Sequence, residues 1–147
     1  MKKLNHDEIL EISSPYLNKG RKDDIWTITE IQVDGTKSFS KVMMDKYYVS
    51  ATDVGFHLTS FSTLEFLSQI FIAHHHILNN LPKKMQEAWM MESSIKCNKA
   101  IRDPLNINVT AEINYTKKVG SKFLGVMNAE VRDKTGLFTA EIKALIA

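Results

Sequence analysis

The chain has 147 residues, 44% hydrophobic and 24% charged, with a formal net charge of +2. This is the composition of a single soluble domain (1–147) long enough for a sizeable core. Acids and bases are interspersed, which argues against the clustered Lys and Arg of a nucleic-acid surface.

No apolar, uncharged stretch of about 20 residues exists, so no membrane span is expected. The start, MKKLNHDEILE, is too acidic for a signal peptide, and the expectation is a cytoplasmic protein. The one cysteine, Cys97, cannot form an internal disulfide and reads as a small buried apolar residue.

Asp7 to Ile12 places Ile9, Leu10 and Ile12 close together on a short amphipathic helix, which Ser13, Ser14 and Pro15 end. Ile25 to Val33 is rich in β-branched residues and predicts a strand. Asp34-Gly35-Thr36 is a hairpin turn, Phe39 to Met44 returns as a second strand, and Tyr47 to Ser50 extends it or starts a third.

Ser62 followed three residues later by Glu65 fits a capping box ahead of an apolar run. Leu64, Leu67, Phe71 and Leu78 keep helical spacing until Pro82. Ser62–Leu81 is about 30 Å of helix at roughly 1.5 Å per residue. Its first half is apolar nearly all round, as expected of a helix wrapped by a sheet.

The second half is β. Met90–Lys99 is a strand, Arg102-Asp103-Pro104 a turn, and Leu105–Tyr115 alternates between an apolar and a polar face. Gly120-Ser121 turns the chain into Phe123–Val131, and Asp133–Gly136 turns it into Leu137–Ile146. Consecutive antiparallel strands after one helix predict a meander. The fold class is α+β, a hotdog: a curved antiparallel sheet around one long central helix.

Two families resemble this pattern. Leu64-Glu65-Phe66-Leu67-Ser68-Gln69 is similar to the L-E-x-x-A-Q stretch of hotdog 3-hydroxyacyl-ACP dehydratases of the FabZ type. In that family the glutamate is catalytic and its partner histidine lies before the helix. Here that lead-in is shortened to Gly55-Phe56-His57-Leu58-Thr59.

Nearly the whole chain resembles the FcoT-like long-chain fatty acyl-CoA thioesterases, also hotdog proteins. Pro15-Tyr16-Leu17-Asn18-Lys19-Gly20 is similar to their P-Y-x-x-K-G. His57-Leu58-Thr59-Ser60 falls on H-F-N-A, Ser68-Gln69 on N-Q, Asp103-Pro104-Leu105-Asn106 on K-P-L-N, and Ala140-Glu141-Ile142 on G-E-I. The likeness makes Tyr16 an active-site tyrosine and puts Thr59 where the family has an asparagine. It implies an acyl-thioester substrate carried by coenzyme A or acyl carrier protein. It also implies a homodimer or higher homo-oligomer with the site at the interface, Glu65 of one protomer facing His57 of the other.

Thioester hydrolysis needs an activated water and a polarised carbonyl. Dehydration of a 3-hydroxyacyl chain needs a base and an acid. A His57/Glu65 pair at a helix mouth serves either, and neither reaction needs a cofactor. A non-catalytic acyl-thioester binding protein is the third reading.

His57, Glu65 and Tyr16 are thus the candidate catalytic residues, and Thr59, Ser60 and Gln69 the candidates for substrate binding. Each has a plainer alternative. Glu65 caps the helix, His57 is a structural loop residue, Tyr16 packs, and Thr59 and Ser60 are caps. Gln69 bridges to Glu65 one turn away.

His74-His75-His76 point about 100° apart on a helix, so they are poorly placed to share a metal ion. Lys83-Lys84 and Lys117-Lys118 read as solvated surface, and the methionine pairs Met43-Met44 and Met90-Met91 as core filling.

Overall fold

The computed structural model describes residues 1–13, 23–49 and 55–147. They form α1 (His6–Ile12), β1 (Ile25–Asp34), β2 (Lys37–Lys46), α2 (Ser60–Leu78), β3 (Ala88–Lys99), β4 (Ile107–Val119), β5 (Lys122–Arg132) and β6 (Leu137–Ile146).

α1 buries no residue and is held by local bonds. Asn5 Oδ1 accepts from the Glu8 amide at 3.0 Å, and the Glu8 carboxylate accepts from the Asn5 amide at 2.8 Å, a reciprocal capping box.

The six strands form one antiparallel sheet in the order β1-β2-β4-β5-β6-β3. The expected meander holds for β4, β5 and β6 and fails for β3. That strand pairs with β6 at the far edge, so the β3–β4 connection crosses the sheet. Gly35 makes the β1–β2 turn at φ 57°, a left-handed conformation that glycine adopts without steric cost.

One face of each of β4, β5 and β6 is apolar. Ile107, Val109, Ala111 and Ile113 are buried on β4, as are Met127, Ala129 and Val131 on β5 and Phe138, Ala140, Ile142, Ala144 and Ile146 on β6. α2 covers this face and contacts β1, β2 and β3. Phe66, Leu67, Ile70 and Phe71 are fully buried beneath it, and Trp26 meets Phe66 edge-on with ring centres 6.1 Å apart.

The helix stops at Leu78 rather than Leu81. Asn80 turns left-handed at φ 54°, and the Leu81 amide closes back on the His76 carbonyl at 2.8 Å, ahead of Pro82. Met44 fills core as expected, but Met90 and Met91 do not. Along with Trp89 they are exposed on β3, whose outer edge pairs with no other described strand, and Trp89 is 62% and Met91 58% accessible.

The crossover from β3 to β4 is fixed by Asp133 in the β5–β6 turn. One carboxylate oxygen accepts from the Arg102 and Asp103 amides at 2.8 and 2.9 Å, the other from the Thr135 and Gly136 amides at 3.0 and 2.5 Å. These bonds hold the acid's pKa below its usual value, against the opposing effect of burial.

Gly136 lies against the crossover backbone. A Cβ there would overlap the Ala100 carbonyl and come within 2.7 Å of the Ile101 Cα. Gly136→Ala is therefore expected to cost about 2 kcal/mol or more, a fall of roughly 5 °C in Tm. Thermal unfolding followed by circular dichroism measures it, and an unchanged Tm would show that the crossover moves aside freely.

Candidate functional site

Helix α2 begins at Ser60, two residues earlier than the sequence pattern implies. Thr59 is the N-cap (φ −93°, ψ 156°), and its hydroxyl accepts from the Ser62 amide at 3.1 Å. Its carbonyl accepts from both the amide and the hydroxyl of Thr63, at 3.2 and 2.8 Å.

The expected capping box of Ser62 and Glu65 is not formed. Ser62 is buried in the first turn, where its hydroxyl donates to Asp24 at 3.0 Å, and the Tyr48 amide donates to the other oxygen of Asp24 at 3.3 Å. Asp24, at the entrance to β1, thus ties the helix start to β1 and to the segment that follows β2. No local pattern in the sequence pointed to it.

Glu65 lies a turn beyond the cap on the exposed face of the helix, and Gln69 follows on the same face. The Glu65 backbone carbonyl accepts from the Ser68 hydroxyl at 2.7 Å. With the capping role gone, its carboxylate faces outward. Ser60 is the first helical residue and half-buried. Tyr16 lies outside the described residues.

His57 precedes the cap by two residues. Its neighbours Phe56 and Leu58 are both buried, and the Leu58 amide donates to the Ile101 carbonyl at 2.8 Å, so the alternation turns His57 outward. Phe56 packs against Tyr47 at a tilt of 57°, with ring centres 4.8 Å apart.

His57 lines a cavity of about 350 Å³ with Leu58, Cys97, Ala100, Arg102 and Phe138. Glu65 is not among its described lining residues. The structure therefore brings His57 to a cysteine and an arginine that the sequence left unassigned. Cys97 is exposed on the edge strand rather than buried. Partial desolvation raises its thiol pKa, so it is not an activated thiolate.

A larger hollow of about 570 Å³ lies over β1, β2, β4 and β5 and is lined by no described residue of α2.

At the other end of α2 the three histidines are buried. His74 donates from Nε2 to the Gly35 carbonyl at 2.9 Å. His75 donates from Nε2 to Gln86 at 2.8 Å and accepts at Nδ1 from the Tyr115 hydroxyl at 2.7 Å. His76 donates from Nδ1 to the Ile72 carbonyl at 2.8 Å, and its Nε2 accepts from the Met85 and Gln86 amides at 3.0 and 3.3 Å.

Each ring thus serves a different structural contact. Among the described residues, no three His, Cys, Asp or Glu side chains are arranged to hold a metal ion. Burial pushes the Tyr115 phenol up to about 12, so it remains a proton donor to His75. The Lys118 ammonium sits 5.0 Å from the centre of the Phe123 ring rather than being wholly solvated.

No known family model matches the sequence, and no curated protein matches it. Solved structures do. The protein yhdA of Lactococcus lactis, a candidate thioesterase, superposes with a TM-score of 0.61 at 12% identity, over 82% of this chain and 93% of its own. The protein SAV0944 of Staphylococcus aureus superposes at 0.51 and 12% identity, over 83% and 93%, and another of its structures names it a thioesterase enzyme. At these identities the likeness is one of fold: the chain shares the hotdog-like architecture of these proteins. No described helix is long and apolar enough to cross a membrane.

The buried histidines set the response to acid. Burial is the largest effect on both His74 and His75, and it lowers both pKa values from the ordinary 6.5. As pH falls, the unfolded chain takes up these protons first. The stability the two residues contribute is therefore whole above about 6.5 and is lost as pH falls toward the lowered folded values. Urea unfolding at pH 7.5 and 5.5 should show a lower midpoint at the acid pH. That loss should shrink in a His75→Gln variant, and a midpoint unaffected by pH would refute this account.

Proposed function

We propose that the protein hydrolyses acyl thioesters, with fatty acyl-CoA or acyl-ACP as substrate, and that it is a hotdog whose sheet curves around α2 as the single central helix. The observation that carries this reading is the loop-to-helix junction, where an outward-turned histidine stands beside the N-terminus of a helix capped two residues later.

The first amides of a helix precede the intrahelical bonds and sit at the positive end of its dipole. A thioester carbonyl placed there develops its negative charge against them. The Glu65 carboxylate takes a proton from water as the oxygen attacks the carbonyl carbon, with His57 beside it to orient that water. The tetrahedral intermediate then collapses, the carbon–sulfur bond breaks, and the thiolate leaves and is protonated.

The Thr59 hydroxyl already accepts from the Ser62 amide, so its remaining capacity is to donate a hydrogen bond to substrate. Ser60, Gln69 and Tyr16 complete the proposed binding and catalytic set.

In this reading Glu65 reaches the site across a dimer. The edge of β3, with Trp89, Met90 and Met91 exposed, supports a second copy pairing there and bringing its Glu65 toward His57. In solution the particle should then have twice the 16.8 kDa chain mass, and Met91→Glu should shift it toward the monomer in sedimentation velocity. A wild-type monomer at all concentrations would defeat the shared-site arrangement.

Incubation with saturated acyl-CoAs and 3-hydroxyacyl-CoAs, with products read by mass spectrometry, tests the reaction. Free acid and free thiol support hydrolysis. Loss of one water with the thioester intact would replace it with dehydration, and saturable binding without turnover would leave a carrier or binding protein.

Glu65→Gln keeps the side-chain shape and removes the base. It should lower turnover by about a hundredfold or more, the ordinary worth of a positioned general base. Unchanged turnover would remove Glu65 from the mechanism.

A further inference from the structure

The tail end of α2 gathers positive charge that the reaction scheme above does not use. We propose that this end of the molecule is a docking face for an anionic lipid surface, with Lys83, Lys84, Lys117, Lys118 and Lys122 meeting the headgroups. It goes beyond the hydrolase reading and does not rest on it.

The charge is segregated along the chain. Residues 66–86 and 113–129 contain no aspartate or glutamate, and the five lysines fall within them. The whole chain carries only +2, so acids and bases that balance elsewhere are unbalanced here. All five lysines are exposed. Lys84 forms an ion pair with Glu87, the first acid after the loop, and Lys118 sits over the Phe123 ring. A charged surface responds to the summed field of the group, so these contacts weaken the attraction without abolishing it.

The fold joins the two segments through Gln86. Its Oε1 accepts from His75 at 2.8 Å, and its Nε2 donates to the Ser121 carbonyl at 2.8 Å. The loop carrying Lys83 and Lys84 is thereby bound to the helix tail and to the β4–β5 hairpin. That hairpin carries the other three lysines and turns at Gly120, with φ 60°. The Met85 and Gln86 amides donate to His76, and the Tyr115 hydroxyl of β4 donates to His75. The backbone beneath both groups of lysines is therefore fixed on folding, and binding need not gather it.

Apolar side chains stand among these lysines. Met85 is 64% and Val119 60% accessible, and Leu78 is exposed at the helix end. A face both basic and apolar fits a headgroup layer, where ammonium groups meet phosphates and apolar tips reach the acyl boundary. An acidic carrier protein would satisfy the charge alone. The candidate site, however, lies at the opposite end of a 19-residue helix, about 28 Å away at roughly 1.5 Å per residue. A carrier docked here would deliver its thioester far from His57 of the same chain.

Cosedimentation in low salt with vesicles of phosphatidylcholine, alone or with one third phosphatidylglycerol, tests the proposal. Each lysine near an anionic surface is worth roughly fivefold in partitioning. Wild-type protein should prefer the anionic vesicles by at least about a hundredfold, and about 0.5 M salt should erase most of that preference. Lys83→Gln, Lys117→Gln and Lys122→Gln together should lower it by at least about twentyfold, and arginine at the same three positions should retain it. Lys96→Gln, Lys99→Gln and Lys134→Gln remove the same charge from β3 and the β5–β6 turn, at the other end of the sheet. They should change the preference by less than about threefold. Val119→Ser should weaken binding severalfold at unchanged charge.

Equal partitioning onto neutral and anionic vesicles, or equal effects of the two lysine triples, would overturn the proposal. So would binding of acyl carrier protein that the first triple abolishes while vesicles stay unbound, which would assign the face to a protein partner. Absence of acyl-CoA turnover with the vesicle preference intact would overturn the hydrolase reading and leave this face standing.

Discussion

The carboxylate of Asp133 is the contact on which the rest of this molecule depends. A sheet ordered β1-β2-β4-β5-β6-β3 requires one connection to run from the far edge back across the meander, and a connection of that kind has no ladder partners of its own. Asp133 supplies them by gathering amides from both sides of the crossing, and Gly136 allows the two backbones close enough to do so. The carbonyl of Ile101 then becomes available to the loop that leads into α2. The position of His57, and of the helix mouth beside it, is thus set by a turn between two strands more than seventy residues further along the chain.

The strands were legible where one face is buried. On β4 the alternation of Ile107, Val109, Ala111 and Ile113 with polar neighbours matches the burial seen. β3 was legible as a strand and illegible as an edge, because strand order is not written in local pattern. Its large apolar residues read as core when they face outward on an open margin.

The helix cap was displaced for a related reason. Thr59-x-x-Ser62 and Ser62-x-x-Glu65 are overlapping cap patterns, and burial of Ser62 against Asp24, 38 residues away, decides between them. At the site, His57 could be singled out from its place before the helix, whereas its neighbours Cys97 and Arg102 reach it only through the crossover. The bonding of the three histidines was likewise hidden, since Gly35 and Tyr115 lie 39 and 40 residues from their partners.

The two ends of α2 use polar chemistry in opposite ways. At its start the polar groups face outward: His57 is turned to solvent beside a cavity, and Glu65 and Gln69 line the uncovered face. At its end they face inward, each imidazole held by its own hydrogen-bond partners. Burial at the second end disfavours charge, while exposure at the first leaves room for it. One helix thus presents exposed polar groups at its mouth and is clamped by buried ones at its tail.

The clamp at the tail has a kinetic corollary. The amides of Met85 and Gln86 are sheltered by the side-chain nitrogen of His76 and not by a carbonyl, so they meet solvent whenever that ring turns away, without any strand having to part. The next residue, Glu87, exchanges paired hydrogen bonds with Ala147 at the foot of β3. Release of one ring at the end of α2 would therefore loosen the sheet margin from its root upward, in a local opening that leaves the remaining ladder closed.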